Sequence, residues 1–191
     1  MTQQKIHADI DGTLLFEEFC LYVLKLYIGP GAEGMVLGTQ AGAKFKDKIN
    51  KFCELSGIGG AFKNRDQTEP SKNDDRIDVM VWKDFYDRKE NKLLAVGQCK
   101  TGTSWLSELP KFNPNLFLTT WLDDPPTAKA IPAFMVADVM NDELNSRSQQ
   151  GRNILFDRFR IMEYVDATVQ DCEFYARMKI WTDAALESIF D

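Results

Sequence analysis

Histidine is almost missing from this 191-residue chain, where His7 is the only one. The four cysteines, Cys20, Cys53, Cys99 and Cys172, stand far apart with no C-x-x-C pair, so no zinc cluster of cysteine and histidine can be assembled. The thiols are expected to be free, in a reducing compartment. No apolar run approaches the ~20 residues that a membrane span needs, and the opening stretch MTQQKIHAD lacks the apolar core of a signal peptide. These absences predict a cytoplasmic protein without membrane contact. An excess of basic residues is missing too: 23 Lys and Arg against 29 Asp and Glu leave a net charge of -6. That balance argues against nucleic-acid binding over the whole surface, because phosphate affinity comes largely from Lys and Arg. Any such site must be local, and a protein partner or self-association would have to supply much of the binding surface.

What is present suits one well-packed domain. With 44% hydrophobic and 27% charged residues, a chain of this length buries a single core, and residues 1–191 are expected to form one unit with a helical tail from about 166. Phe16, Phe19, Cys20, Val23, Leu24 and Tyr27 recur at helical spacing between Thr13 and Tyr27, and Gly29 and Pro30 end the pattern. A second helix is expected around Phe45, Ile49 and Phe52, with Lys44, Lys46, Lys48 and Lys51 spread about it. RIDVMVW and KLLAVGQCK read as two strands joined by the polar stretch KDFYDRKEN, which makes a hairpin. TGTSWLSELPKF starts as a helix, and the proline-bearing segment after it reads as irregular. IPAFMVADV and NILFDRFRI read as strands.

Asp9, Asp11, Gly12 and Thr13 form D-x-D-G-T, which resembles the nucleophile motif of haloacid-dehalogenase-like phosphatases. In that family the first aspartate ends a buried parallel strand, yet the residues before Asp9 include only Ile6 as a large apolar side chain. The motif is better read as a helix start. Asp11 or Thr13 is the N-cap, and Glu17 and Glu18 complement the positive end of the helix dipole. A phosphatase using Asp9 and Asp11 stays as the lesser alternative.

The hairpin carries more chemistry. Strand alternation groups Ile77, Val79 and Val81 on one face and Asp78, Met80 and Trp82 on the other, while Leu94, Val96, Gln98 and Lys100 share a face of the second strand. Folding about Arg88 sets Asp78 opposite Gln98, with Cα atoms within about 5.5 Å. Lys100 lies two residues further along. A carboxylate, an amide oxygen and an ammonium are thus expected to converge.

In this order, GTLLFEEF, NDDRIDV and VGQCK resemble the PD-(D/E)XK nuclease superfamily, and within it the Mrr-like restriction endonucleases whose motif reads Q-x-K. The resemblance covers about residues 12–165. It implies an α/β, restriction-endonuclease-like fold, a mixed central β-sheet flanked by helices, and a metal-dependent endonuclease, most readily one that cuts DNA in defence against foreign DNA. Glu17 is the candidate helix glutamate, because Cys20, Leu21 and Leu24 make its side of the helix apolar, whereas Glu18 shares a wetter face with Tyr22 and Lys25. Mg²⁺ or Mn²⁺ would be held by Asp78, by the Gln98 side-chain oxygen and by the backbone oxygen of Cys99. Lys100 would orient the attacking water or stabilise the developing charge. Gln98 departs from the commoner acid and removes one negative charge from the set. A non-catalytic interaction module on the same fold is therefore the other alternative.

Several of these residues also have plain structural readings. Asp78 can pair with Arg76 or Lys100. The Cys99 thiol points away from Gln98 and is expected to be a small core group. Asp74 and Asp75 suit a solvated turn or an outer-shell role, and the lysine run, with Lys63 and Arg65, suits either phosphate contacts or a solvated helix face.

Overall fold

The computed structural model describes residues 5–38, 45–64, 77–87, 89, 91–142, 146, 153–165 and 173–190. Lys44, Arg65, Asp74, Asp75, Arg76, Arg88 and Cys172 lie outside the described residues.

The chain enters through a small antiparallel ribbon, β1 (Ile6–His7) and β2 (Ile10–Asp11), turned by Ala8 and Asp9. Both turn residues have positive φ, 47° and 60°, the handedness that matches the twist of a two-residue hairpin. Asp11 then accepts the Thr13 N–H at 2.7 Å and caps α1 (Gly12–Ile28), as its position before an apolar periodic run predicts. Asp9 is therefore exposed in a tight turn. It does not end a buried parallel strand, so the setting of a phosphatase nucleophile is absent there.

Gly29, at φ 101°, closes α1 and lets the chain return as β3 (Ala32–Val36). After α2 (Phe45–Ser56) and β4 (Gly59–Phe62) come the hairpin strands β5 (Val79–Lys83) and β6 (Leu93–Lys100). A short α3 (Trp105–Glu108), a 3₁₀ turn (Leu109–Lys111), α4 (Pro114–Trp121) and β7 (Leu122–Asp124) lead to β8 (Ile131–Val136). The described chain continues through β9 (Ile154–Phe156), α5 (Arg158–Met162) and α6 (Glu173–Phe190).

Five strands form one mixed sheet in the order β3-β5-β6-β8-β9. The first three are antiparallel, and β6/β8 and β8/β9 are parallel. A parallel return needs a long crossover, which α3 and α4 provide. The sheet therefore has two covered faces. Cys20, Val23 and Leu24 of α1 pack on Val79, Val81, Ala95, Cys99, Ala133 and Met135. On the other face, Ile49 and Phe52 of α2 and Trp105, Phe117 and Trp121 of the crossover cover Met80, Trp82, Leu94, Val96 and Phe134. Each fully buried aliphatic side chain such as Val23 contributes roughly 1.5–3 kcal/mol. Lys92 ties the hairpin tip to this second layer, pairing with Asp84 at 2.8 Å and donating to the Ser56 carbonyl at 2.6 Å.

Two local expectations are corrected. The segment after the 3₁₀ turn is irregular only over residues 125–130; before that, Asn113 accepts the Leu116 N–H at 3.2 Å and Pro114 takes the first helical position, where its missing N–H costs nothing. NILFDRFRI is a strand only as far as Phe156. Asp157 then accepts the Arg160 N–H at 3.0 Å and starts a helix. β3, whose AEGMV shows no clean alternation, joins the sheet as an edge strand beside β5.

Candidate functional site

The site lies where β5 and β6 part. Their ladder has the expected register, with Val79 opposite Gly97 and Lys83 opposite Leu93. Beyond it the register slips, because the Asp78 N–H donates to the Gly97 carbonyl at 2.9 Å. Two residues, Asp78 and Val79, then face one, which is a β-bulge. Packing agrees with this: Val79 joins Val81 on the α1 face, but Ile77 joins Met80 and Trp82 on the other. The alternation expected from the sequence, Ile77 with Val79 and Asp78 with Met80, is thus broken by the extra residue.

The bulge turns Asp78 toward Cys99. Its carboxylate accepts the Cys99 N–H at 2.6 Å, and its carbonyl accepts the N–H groups of Leu37 at 2.7 Å and Gly38 at 3.2 Å. The N–H and C=O of a strand residue leave on the same side, so the Cys99 carbonyl is directed toward the same edge of β6 as Asp78.

Glu17 approaches from α1, buried on the same helix face as Cys20. Its carboxylate lies against Gly38, where a Cβ would collide with it. Burial holds the Cys99 thiol well above the ordinary thiol range, and a hydrogen bond with Cys20 and the negative charges of Asp78 and Glu17 push the same way. The thiol is a core group, as its direction along the strand predicts, and no nucleophile at neutral pH. Glu18, by contrast, faces α6 and pairs with Arg177.

Gln98 and Lys100 are not brought to Asp78 by the backbone. Strand alternation keeps both on the Val96 face, opposite Cys99, whereas the bulge moves Asp78 to the Cys99 side. Gln98 is wholly buried, and neither its amide oxygen nor its amide nitrogen has a hydrogen-bond partner among the described residues. Lys100 is half-buried at the end of β6, its carbonyl accepting the Ala137 N–H at 3.0 Å. The expected convergence of Asp78, Gln98 and Lys100 on one face is replaced by a grouping of Glu17, Asp78 and Cys99.

Two carboxylates and a strand carbonyl are hard oxygen donors, the chemistry that Mg²⁺ and Mn²⁺ select. Glu17, Asp78 and the Cys99 carbonyl fit such an ion in donor type, with substrate and water oxygens completing its shell. The Gln98 oxygen, though orphaned, leaves the strand on the other side. Among the described residues, no three side chains of His, Cys, Asp or Glu gather as a metal-binding group.

Two residues at the site were not singled out in the sequence. Lys48 of α2 donates to the Leu37 carbonyl at 2.8 Å and to the Gly38 carbonyl. Its spacing is the available signal: Lys48 falls three residues after Phe45 and four before Phe52, on the apolar stripe of α2, unlike exposed Lys46 and Lys51. Gly38 has no signal of its own beyond being a glycine. Comparison of the chain with protein-family models, with curated proteins and with solved structures found no match.

Proposed function

We propose that this chain is a metal-dependent nuclease that hydrolyses phosphodiester bonds in DNA, on a restriction-endonuclease-like fold. The observation that carries this reading is the fork itself: Asp78 on a bulge, latched to the backbone of Cys99 one residue after Gln98, with the Glu17 carboxylate buried beside them. The order of elements supports it as well. A helix bearing Glu17 precedes antiparallel strands bearing Asp78 and Q-x-K, and a helical crossover and a parallel strand follow.

In this reading Asp78, Glu17 and the Cys99 carbonyl would hold Mg²⁺ or Mn²⁺, which would supply positive charge to the phosphate and acidify the attacking water. Lys100 steadies the attacking water or the charge that develops on the phosphate, reaching it from the strand end. Asp78 keeps its orientation through the Cys99 N–H, so its position is set before substrate arrives. With a net charge of -6, the chain relies on a second copy or a protein partner for much of its grip on DNA. A cytoplasmic role as the cleaving part of a defence against foreign DNA belongs to the same proposal.

Gln98 favours a second reading. A neutral amide, buried on the opposite face from Asp78, suits an interaction module that keeps the fold without the activity. Incubating plasmid and oligonucleotide DNA with Mg²⁺ or Mn²⁺, beside the Asp78→Asn variant, separates the two. Cleavage by the parent chain and loss in the variant support the nuclease; no cleavage with either ion supports the module.

A further inference from the structure

Leu37 and Gly38 sit at the centre of the site and make most of its connections. Their N–H groups donate to Asp78 O, their carbonyls receive Lys48 Nζ, and the bare Cα of Gly38 seats the Glu17 carboxylate. α1, α2 and the residue that leads into β5 therefore meet on these two residues, just past the end of β3. The Leu37 carbonyl and the Gly38 N–H belong to one peptide unit, so the Lys48 bond to that carbonyl fixes the direction of the N–H that meets Asp78, and its bond to the Gly38 carbonyl restrains the next unit, so that both sides of the Gly38 Cα are held.

We infer that Lys48 is a positioning residue of this site: by locking the Leu37–Gly38 backbone it sets where Asp78 and Glu17 stand. The inference rests on the proposed nuclease reading and deepens it. It separates Lys48 from the other lysines of α2. Lys46 and Lys51 are exposed and free to meet phosphate, whereas Lys48 is half-buried and spends its donors on the protein's own carbonyls. Lys48 therefore acts on the turnover step and not on the capture of DNA.

The geometry also explains why position 38 is a glycine. Any Cβ there would displace the Glu17 carboxylate, so Gly38→Ala should disturb the site from the opposite side of the same peptide.

The test uses the whole chain with Lys48→Met, Lys48→Arg and Lys46→Ala, read in two ways. Amide hydrogen exchange needs no activity: Lys48→Met should speed exchange at Leu37, Gly38 and Cys99 by tenfold or more while core amides such as Val81 keep their protection, and Lys48→Arg should restore part of it. Unchanged exchange at those three amides overturns the inference. In plasmid cleavage with Mn²⁺, Lys48→Met should lower kcat by tenfold or more at unchanged KM for DNA, whereas Lys46→Ala should change KM and its salt dependence. A Lys48→Met effect confined to KM overturns positioning in favour of phosphate contact. Failure of the parent chain to cleave would strike the nuclease reading alone, since hydrogen exchange still decides the role of Lys48.

Discussion

The Asp78 carboxylate stands where a strand carbonyl would otherwise receive the Cys99 amide, at 2.6 Å. One side chain thus closes the β5/β6 ladder and offers a charge at its open end. The two roles can be separated. Asp78→Ala leaves the Cys99 N–H without its acceptor and should cost about 1–3 kcal/mol. Asp78→Asn keeps an acceptor and removes the charge, so stability should hold while cleavage falls roughly 10²-fold. Urea unfolding and plasmid cleavage on the same preparations check this, and full cleavage by Asp78→Asn would remove it from the catalytic set. Lys100→Ala should lose a similar ~10²-fold in rate with little change in stability.

Gln98→Glu tests whether Gln98 shares an ion with Asp78. A carboxyl in that fully buried position resists ionisation, so its folded pKa rises above the unfolded value of about 4.3. The variant's stability should then be intact below that pH and be lost progressively as pH rises. If the ion is shared, Mg²⁺ should restore stability near neutrality and bind more tightly than to the parent chain in calorimetric titration. Equal Mg²⁺ affinity in both forms would show that Gln98 lies outside the shell of the ion, as its place on the face of β6 opposite Cys99 predicts. Gln98→Met, which removes two orphaned polar atoms, should be neutral or stabilising by up to about 1 kcal/mol in metal-free buffer.

The β1/β2 turn offers a gain in stability away from the site. Ala8 and Asp9 hold positive φ without being glycine or asparagine, the residues such turns prefer. Ala8→Asn and Asp9→Gly should each raise stability by roughly 0.5–1 kcal/mol, read as a shift in the thermal midpoint. Asp9→Asn should leave cleavage intact; its abolition by that change would return Asp9 to the candidates.

Burial pushes the Cys53 thiol up to about 11, against a smaller opposing hydrogen bond from its own backbone. A raised folded pKa means that the stability tied to the neutral thiol is fully present below about 9 and is lost as pH rises through about 11. Urea midpoints between pH 8 and 11 should fall more in the parent chain than in Cys53→Ala, measured relative to each protein's own value at pH 8.

Long periodic segments were legible in the sequence. The α1 pattern, the Asp11 cap and the β5/β6 register all follow from local spacing, because each is decided by neighbours within one turn or one hairpin. The faces of Asp78 and Ile77 were not. A bulge is one unpaired residue, and alternation carries no mark of where it falls. The proline-bearing segment reads as irregular, yet Pro114, placed after Asn113, opens a helix there. Gly38 gains meaning only when Glu17 and Asp78 meet on it, contacts that lie far apart in sequence and leave no local pattern, whereas Lys48 is marked by its place on the apolar stripe of α2.

Trp181 of α6 rests on Gly12, where a Cβ would come within 2.5 Å of its ring, meets His7 edge-on at 5.4 Å, and donates to the Lys5 carbonyl at 3.1 Å. Phe174 of α6 covers Phe19 and Tyr22 of α1, with ring centroids 6.2 and 5.6 Å away. The outer side of α1, the helix that carries Glu17, therefore waits during synthesis until residues some 150 positions later have emerged, the separation between Tyr22 and Phe174. Closing so long a loop is slow, and the closure is repaid by few contacts. This clasp should be the last part to form and the first to open: a folding intermediate would hold the five-stranded sheet with α6 still detached, and Trp181 fluorescence should report a slower phase than Trp82 at its centre.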